Sequence, residues 1–378
     1  MYEGKYEMVC QTGLSEVDFT TRSGRPPIYA GLLFATIYLT NCSAVALVLV
    51  HSVITSLVAY VGYRIVKAGT GRQGVALLSL WVLFVFPMNF LKSGTVDEAP
   101  LMLVFLLFGV YALGRYLRDN SRAGMLVLSG VMLGLSTMTR TQTLPIAFGV
   151  GLFLALRRLS WQNWKMASLF ALVYLTVLAP WMGRNYVIYG RYSMEAGTGG
   201  RLFLVTQSED FIRSFPYESI DVIERRYIRS YVASHQHLQE LDTVSLGREF
   251  TRLARAEALN HPLKYARAFI TRLKVFVPYR YYPVMHSPNR DVLYVSWYAA
   301  SLLLFFWSAV RWRPSKPESK LLLIAIIGWI LPAFICFMGS RHFYPFIVLM
   351  IVFSFAAYPW RSSPETAGPC DTRLPSEV

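Results

Sequence analysis

The chain has 378 residues; 54% are hydrophobic, 15% aromatic and 16% charged, and the formal net charge is +15. That balance excludes a soluble globular domain, and repeated long apolar runs point to a polytopic membrane protein. The positive charge does not read as nucleic-acid binding, because no basic soluble face with stacking aromatics or groove-reading elements is visible.

Residues 1–27 are polar and lack the basic, apolar and small-residue succession of a signal peptide. Residues 28–40 form an apolar stretch too short to span, predicted as a half-inserted helix. Candidate spans follow at 43–66, 73–91, 98–116, 123–139, 141–157, 165–183, 293–310, 321–338 and 343–359. The expected fold class is an all-α polytopic membrane protein of about nine transmembrane helices plus the short N-terminal helix. The chain divides into a bundle at 1–184, an outer helical segment at 185–292, further spans at 293–360, and a Pro/Ser-rich tail at 361–378, predicted as disordered and cytoplasmic.

Basic residues set the orientation. Lys67 and Arg72, then Arg115, Arg118 and Arg122, then Arg157, Arg158 and Lys165, then Arg311, Arg313, Lys316 and Lys320 all fall on one side if each span crosses once. Such short basic loops face the cytoplasm. The stretch 123–157 is read as two helices with Arg140 in an outer turn, because Thr139, Thr141, Gln142 and Pro145 give turn and helix-start chemistry. A single long helix is the rival, and it would hold Arg140 in mid-membrane at high cost.

The outer segment 185–292 is too long for a bare loop. Leu246, Phe250, Leu253, Ala254 and Ala258 recur at helical spacing, and Asn260-His261-Pro262 restarts a helix. Its amphipathic continuation to Phe276 either lies on the membrane surface or packs on the bundle. His235-Gln236-His237 with Glu240 is metal-like in composition only, since residues two apart do not share a helix face. The four cysteines show no metal spacing; Cys10, Cys42 and Cys336 fall towards the oxidising side but cannot be paired from sequence.

Five links on the predicted outer side carry chemistry-bearing residues. Arg25-Pro26-Pro27 stiffens the backbone and can hold a guanidinium at the membrane surface for a phosphate, or simply anchor a helix start. Asp97-Glu98 opens a span, where acids suit the helix dipole; one carboxylate can also bind an acceptor hydroxyl or a metal, or act as a base. Arg140 is the third. Arg184-Asn185 follows Pro180-Trp181 and leads into a Gly-rich stretch ending at Gly200 that can offer amides to an anion. Arg341-His342, followed by Phe343-Tyr344-Pro345, sits in a link of a few residues; Arg341 suits a phosphate, and His342 an acid or hydrogen-bond donor.

In this order the five links resemble the bacterial membrane glycosyltransferases related to dolichyl-phosphate-mannose–protein mannosyltransferases and to the lipid A aminoarabinose transferase, which share the C-type glycosyltransferase architecture. The similarity runs through nearly the whole chain from residue 3, and Pro180-Trp181 with Arg184-Asn185-Tyr186 is its most specific part. Glu3, three residues before Tyr6, is similar to the second acid of the family's catalytic pair, while Tyr2 stands where the first acid is expected. The family's first transmembrane helix has no counterpart, so the chain reads as lacking its first helix.

The resemblance implies a polyprenyl-phosphate-linked sugar as donor, an acceptor that is protein, glycan or lipid, and contact with membrane lipid. It implies a bacterial inner membrane and a site on the outer face. Glu3, Asp97 and Glu98 are then the catalytic candidates. Arg25, Arg184, Arg341 and Arg140 are the lipid-phosphate candidates, supported by Tyr6, Pro26, Pro27, Asn185, His342 and Tyr344. No cofactor is assigned by the sequence, and a divalent metal remains open. The rival readings are a transporter or flippase of a lipid-linked or anionic solute, and an inactive member of the family. Transporters more often show paired repeats and polar breaks in mid-span, and neither is visible.

Overall fold

The computed structural model describes residues 26–359 apart from 95, 120–122, 195–197, 216, 219, 242, 275–287, 313–315 and 336–342. Glu3, Tyr6, Arg25, Arg341, His342 and the tail lie outside the described residues. Among those described, the regular structure is helical. In chain order the helices are α1 (Pro27–Leu39), α2 (Ala44–Thr70), α3 (Gln73–Phe84), α4 (Pro87–Ser93), α5 (Ala99–Asp119), α6 (Ala123–Thr139), α7 (Leu144–Leu156) and α8 (Trp161–Tyr189). Then come α9 (Thr198–Val205), α10 (Glu209–Ser214), α11 (Ile220–Ala233), α12 (Gln236–Gln239), α13 (Thr243–Asn260), α14 (Pro262–Leu273), α15 (Pro288–Val310), α16 (Pro317–Ile335) and α17 (Phe343–Ala357).

Four stretches are long and apolar enough to cross a membrane: Ala44–Thr70, Ala99–Arg118, Trp161–Tyr189 and Val292–Val310. Shorter apolar helices fill the bundle between them. The run read as one span at 73–91 is two helices, because Phe86 precedes Pro87 and leaves helical geometry there. Local chemistry sets several ends. Ser43 and Ser160 cap α2 and α8 by accepting from the amides of Ala46 and Asn163. Gly71 and Gly190 end the same helices with φ of 73° and 67°, where a Cβ would be strained.

Close helix approaches fix the directions. Leu133 of α6 packs on Gly109 of α5, and Ser136 Oγ donates to the Met102 carbonyl at 3.1 Å, so α5 and α6 are antiparallel. Gly130 and Gly134 meet Val173 and Val177, so α6 and α8 run parallel. Gly149 meets Ile324, and Gly328 meets Ile146, so α7 and α16 are antiparallel. Arg118, near the end of α5, pairs with Glu318 at the start of α16. The bundle therefore has an Arg140 end and a Glu318 end, with α6 and α7 forming a hairpin that turns at Arg140.

A Cβ on Gly134 would lie 2.7 Å from Val177 Cβ, a distance that real side chains do not tolerate. Gly134→Val is expected to cost about 1–3 kcal/mol by overpacking. Thermal unfolding of the purified variant checks this; an unchanged midpoint would mean that α6 and α8 do not pack this way.

Helices α9 to α14 follow α8 at the Arg140 end. One small core holds Val205, Phe211, Phe215 and Ile223, and a second holds Leu204, Leu238, Phe250 and Ala254. Phe250 and Ala254 thus face inward on α13, as their spacing predicts. The Gly-rich stretch is not an open anion-binding turn at Gly200. That residue lies in α9 and packs on α13, where a Cβ would fall 2.3 Å from the Gly247 carbonyl oxygen. Helix α14 buries Ala268, Thr271 and Arg272 and packs on α16, while Leu263 and Ile270 are exposed.

Candidate active site

The acidic pair sits in the link between α4 and α5. Lys92, near the end of α4, is buried and forms an ion pair with Asp97 Oδ2. Asp97 Oδ1 accepts from the Ala99 amide at 2.8 Å, which satisfies a first-turn donor of α5. Burial opposes ionisation of Asp97, but the Lys92 ammonium and the Arg140 guanidinium outweigh it and hold its carboxyl below the usual carboxylate range.

Glu98 is placed differently. Its Oε1 faces Arg140 Nη1 at 3.4 Å, and its side chain keeps 26% exposure against 13% for Asp97. The two carboxylates are therefore not equivalent. Asp97 is bound on both oxygens, whereas Glu98 retains access to solvent and a looser partner.

Arg140 is held by the turn it occupies. Its φ of −153° and ψ of 118° break the helix after Thr139. Thr143 Oγ1 donates to the Arg140 carbonyl at 3.0 Å, and Thr137 Oγ1 lies 2.9 Å from Thr143 Oγ1 and 3.0 Å from Tyr174 OH. This hydroxyl cluster ties the turn to α8. The guanidinium carbon lies 6.0 Å from the centre of the Trp329 ring. Arg140 thus lies in a turn at a bundle end, and the rival of one continuous helix through 123–157 is excluded.

Two further links reach the same place. Tyr29 OH is 2.9 Å from His51 Nε2, and one turn further along α2 Thr55 Oγ1 is 3.1 Å from Ser93 Oγ, next to Lys92. These contacts bring the start of α1, with the buried Pro26 and then Pro27, to the level of the acidic pair. Tyr344, in the first turn of α17, donates to Asn89 Oδ1 at 2.6 Å, and Lys92 Nζ lies 6.0 Å from the centre of its ring. Lys92, Asn89 and His51 were not among the sequence candidates. Lys92 had a signal: it is the one charged residue between Arg72 and Asp97.

Arg184 and Asn185 form a second cluster further along α8. The Arg184 guanidinium stacks 4.4 Å from the Trp181 ring centre and donates to Asn185 Oδ1 at 2.8 Å. Asn185 Nδ2 donates to the Ser193 carbonyl at 2.6 Å, and Trp181 Nε1 to the Met194 carbonyl at 3.1 Å. Arg140 lies six residues beyond Gly134 and Arg184 seven beyond Val177, which packs on Gly134, so in these parallel helices the two arginines lie at similar heights. The described candidates thus form two clusters: Asp97, Glu98, Arg140, Pro26, Pro27 and Tyr344 together, and Arg184 with Asn185 on α8.

Among the described residues no three His, Cys, Asp or Glu side chains converge as a metal site.

Residues 24–183 match the family model of the dolichyl-phosphate-mannose-protein mannosyltransferases. Over this stretch the chain carries that family's pattern, and the resemblance read from the motifs holds there. The matched stretch contains the first three links and Pro180-Trp181, and ends at Gly183, just before Arg184. The chain is also similar to the archaeal oligosaccharyltransferase AglB from Archaeoglobus fulgidus, solved in complex with an inhibitory peptide and a dolichol-phosphate. The TM-score is 0.48 at 13% identity, over 88% of this chain and 42% of that one, so this chain spans under half of that protein's length. No curated protein matches the chain.

Proposed function

We propose that the chain is a membrane glycosyltransferase of hexosyl or pentosyl type, moving a sugar from a polyprenyl phosphate to an acceptor at the Arg140 end of the bundle. One observation carries this reading. The family-matched residues Asp97, Glu98 and Arg140 meet in one charged cluster beside the start of α1, at the end of a membrane bundle. A donor with a prenyl tail keeps that tail in lipid and its phosphate at such an end.

In the reaction, an acceptor oxygen or nitrogen attacks the anomeric carbon as its proton passes to a carboxylate. The bond from that carbon to the phosphate oxygen breaks, and polyprenyl phosphate leaves with inversion at the sugar. Glu98 is the described carboxylate suited to the acceptor, and Glu3 is the second candidate for the base. Arg25, Arg184 and Arg341 stabilise charge on the leaving phosphate. Arg140 orients Glu98, and Asp97 anchors the link. Nine crossings, with 185–292 on the outer face of a bacterial inner membrane, complete the proposal.

The test is release of polyprenyl phosphate and gain of sugar on a peptide, glycan or lipid acceptor, with purified chain in proteoliposomes. Labelling reports orientation: Tyr217→Cys is expected to react from outside and Arg158→Cys only after permeabilisation. Movement of the intact donor across the bilayer without sugar release would favour transport and overturn the transferase reading.

A further inference from the structure

The Glu318 end of the bundle holds a cavity of about 280 Å³. Tyr116 of α5, Arg157, Arg158 and Ser160 in the link after α7, and Asn163 and Met166 of α8 line it. Helix α7, with 13 residues, separates this cavity from the Arg140 turn, a rise of about 20 Å. Its walls are tied together. The buried Asn163 donates through Nδ2 to the Arg158 carbonyl at 2.6 Å, and Tyr116 OH lies 2.7 Å from Met166 Sδ.

No lining residue is acidic. Neither Arg157 nor Arg158 has an ion-pair partner among the described residues, whereas nearby Arg118 is paired with Glu318. Two arginines thus line one concave site with no acidic side chain among its described lining residues. The same link presents Leu159 and Trp161, exposed at 83% and 75%, with Trp164 half exposed on the next turn. Indoles placed this way mark the headgroup level of a bilayer.

We propose that this cavity binds the phosphate of an anionic phospholipid in the leaflet at the Glu318 end. Arg157 and Arg158 supply charge-assisted hydrogen bonds, and the N-terminus of the 29-residue α8 adds its dipole. Basic pockets between spanning helices hold anionic headgroups in this manner. Leu159, Trp161 and Trp164 give the glycerol and acyl chains an apolar neighbour, which a free phosphate would not use.

Titration of the purified full chain in neutral detergent tests this, with short-chain phosphatidylglycerol, phosphatidylcholine and glycerol 3-phosphate as probes. Phosphatidylglycerol is expected to bind well ahead of the other two. Arg157→Gln with Arg158→Gln should weaken it on the order of 30-fold, from roughly a tenfold or smaller loss per basic contact. Lys67→Gln with Lys316→Gln, two exposed lysines outside the cavity, should leave it unchanged. Equal binding of phosphatidylcholine, or equal weakening by the lysine pair, would overturn the site. Glycerol 3-phosphate binding as tightly as phosphatidylglycerol would overturn the lipid assignment. If the glutamine pair does not purify, phenylglyoxal modification of Arg157 and Arg158 in the unaltered chain decides. Protection by phosphatidylglycerol supports the proposal, and no protection overturns it.

Discussion

Lys92→Met is expected to lower the stability of the folded chain by about 3–5 kcal/mol, the usual consequence of removing one partner of a buried ion pair. Lys92 and Asp97 have side-chain exposures of only 6% and 13%, so water cannot replace the lost ammonium. Methionine keeps most of the volume. The loss is therefore electrostatic rather than a cavity effect. Asp97→Leu in the same chain should recover much of it, because the uncompensated charge is then gone. The pH dependence follows from the sign of the shift. The Asp97 carboxyl is depressed in the folded state, so its contribution is full above pH about 4 and is lost as the pH falls through its native value. Without Lys92, burial dominates and the acid loss should begin at higher pH. Thermal unfolding in one detergent across pH measures both effects. A Lys92→Met midpoint equal to the parent's would show that the pair is not formed.

Glu98→Gln is expected to lower sugar transfer by at least about 100-fold, the low end for a lost general base. Its effect on unfolding should be small. Glu98 is more exposed than Asp97, and its ion-pair partner among the described residues, Arg140, is 3.4 Å away without a hydrogen bond from that nitrogen. Glutamine keeps the shape and a polar contact but cannot take a proton. Asp97→Asn should show the opposite balance, with lost stability as the leading effect, because Asp97 both pairs with Lys92 and caps α5. Paired measurement of turnover and unfolding separates the two carboxylates. If Glu98→Gln kept full turnover, the base would be sought at Glu3.

The sequence by itself determined the all-helical membrane class, because long apolar runs have few other solutions in a bilayer. It favoured a hairpin at Arg140 and left one continuous helix as the rival, which the structure removed. Turn-forming Thr139, Thr141 and Gln142 beside a charge make an end cheaper than a continuous helix there. Asp97-Glu98 was legible for a similar reason, since two adjacent acids between apolar runs have to mark an end. Other features were less accessible. The run 73–91 is uniformly apolar, so only the chain geometry around Phe86 and Pro87 divided it. The run 165–183 is the middle of a helix that extends from Trp161 to Tyr189, so Arg184 and Asn185 lie within the helix and not in a link after it.

Tertiary structure alone decided which cation meets which carboxylate. Helical periodicity and charge placement are local signals, and they treat Asp97 and Glu98 alike. Their difference arises from the approach of α5 to α6, set by Gly109 against Leu133, which brings the Arg140 turn to Glu98. Lys92 meets Asp97 because α4 folds back beside Tyr344 and Thr55, residues far away in the chain. Burial at that meeting point then makes Asp97 a structural anion and leaves Glu98 accessible. No local pattern carries that distinction, because desolvation depends on every element that packs around the pair.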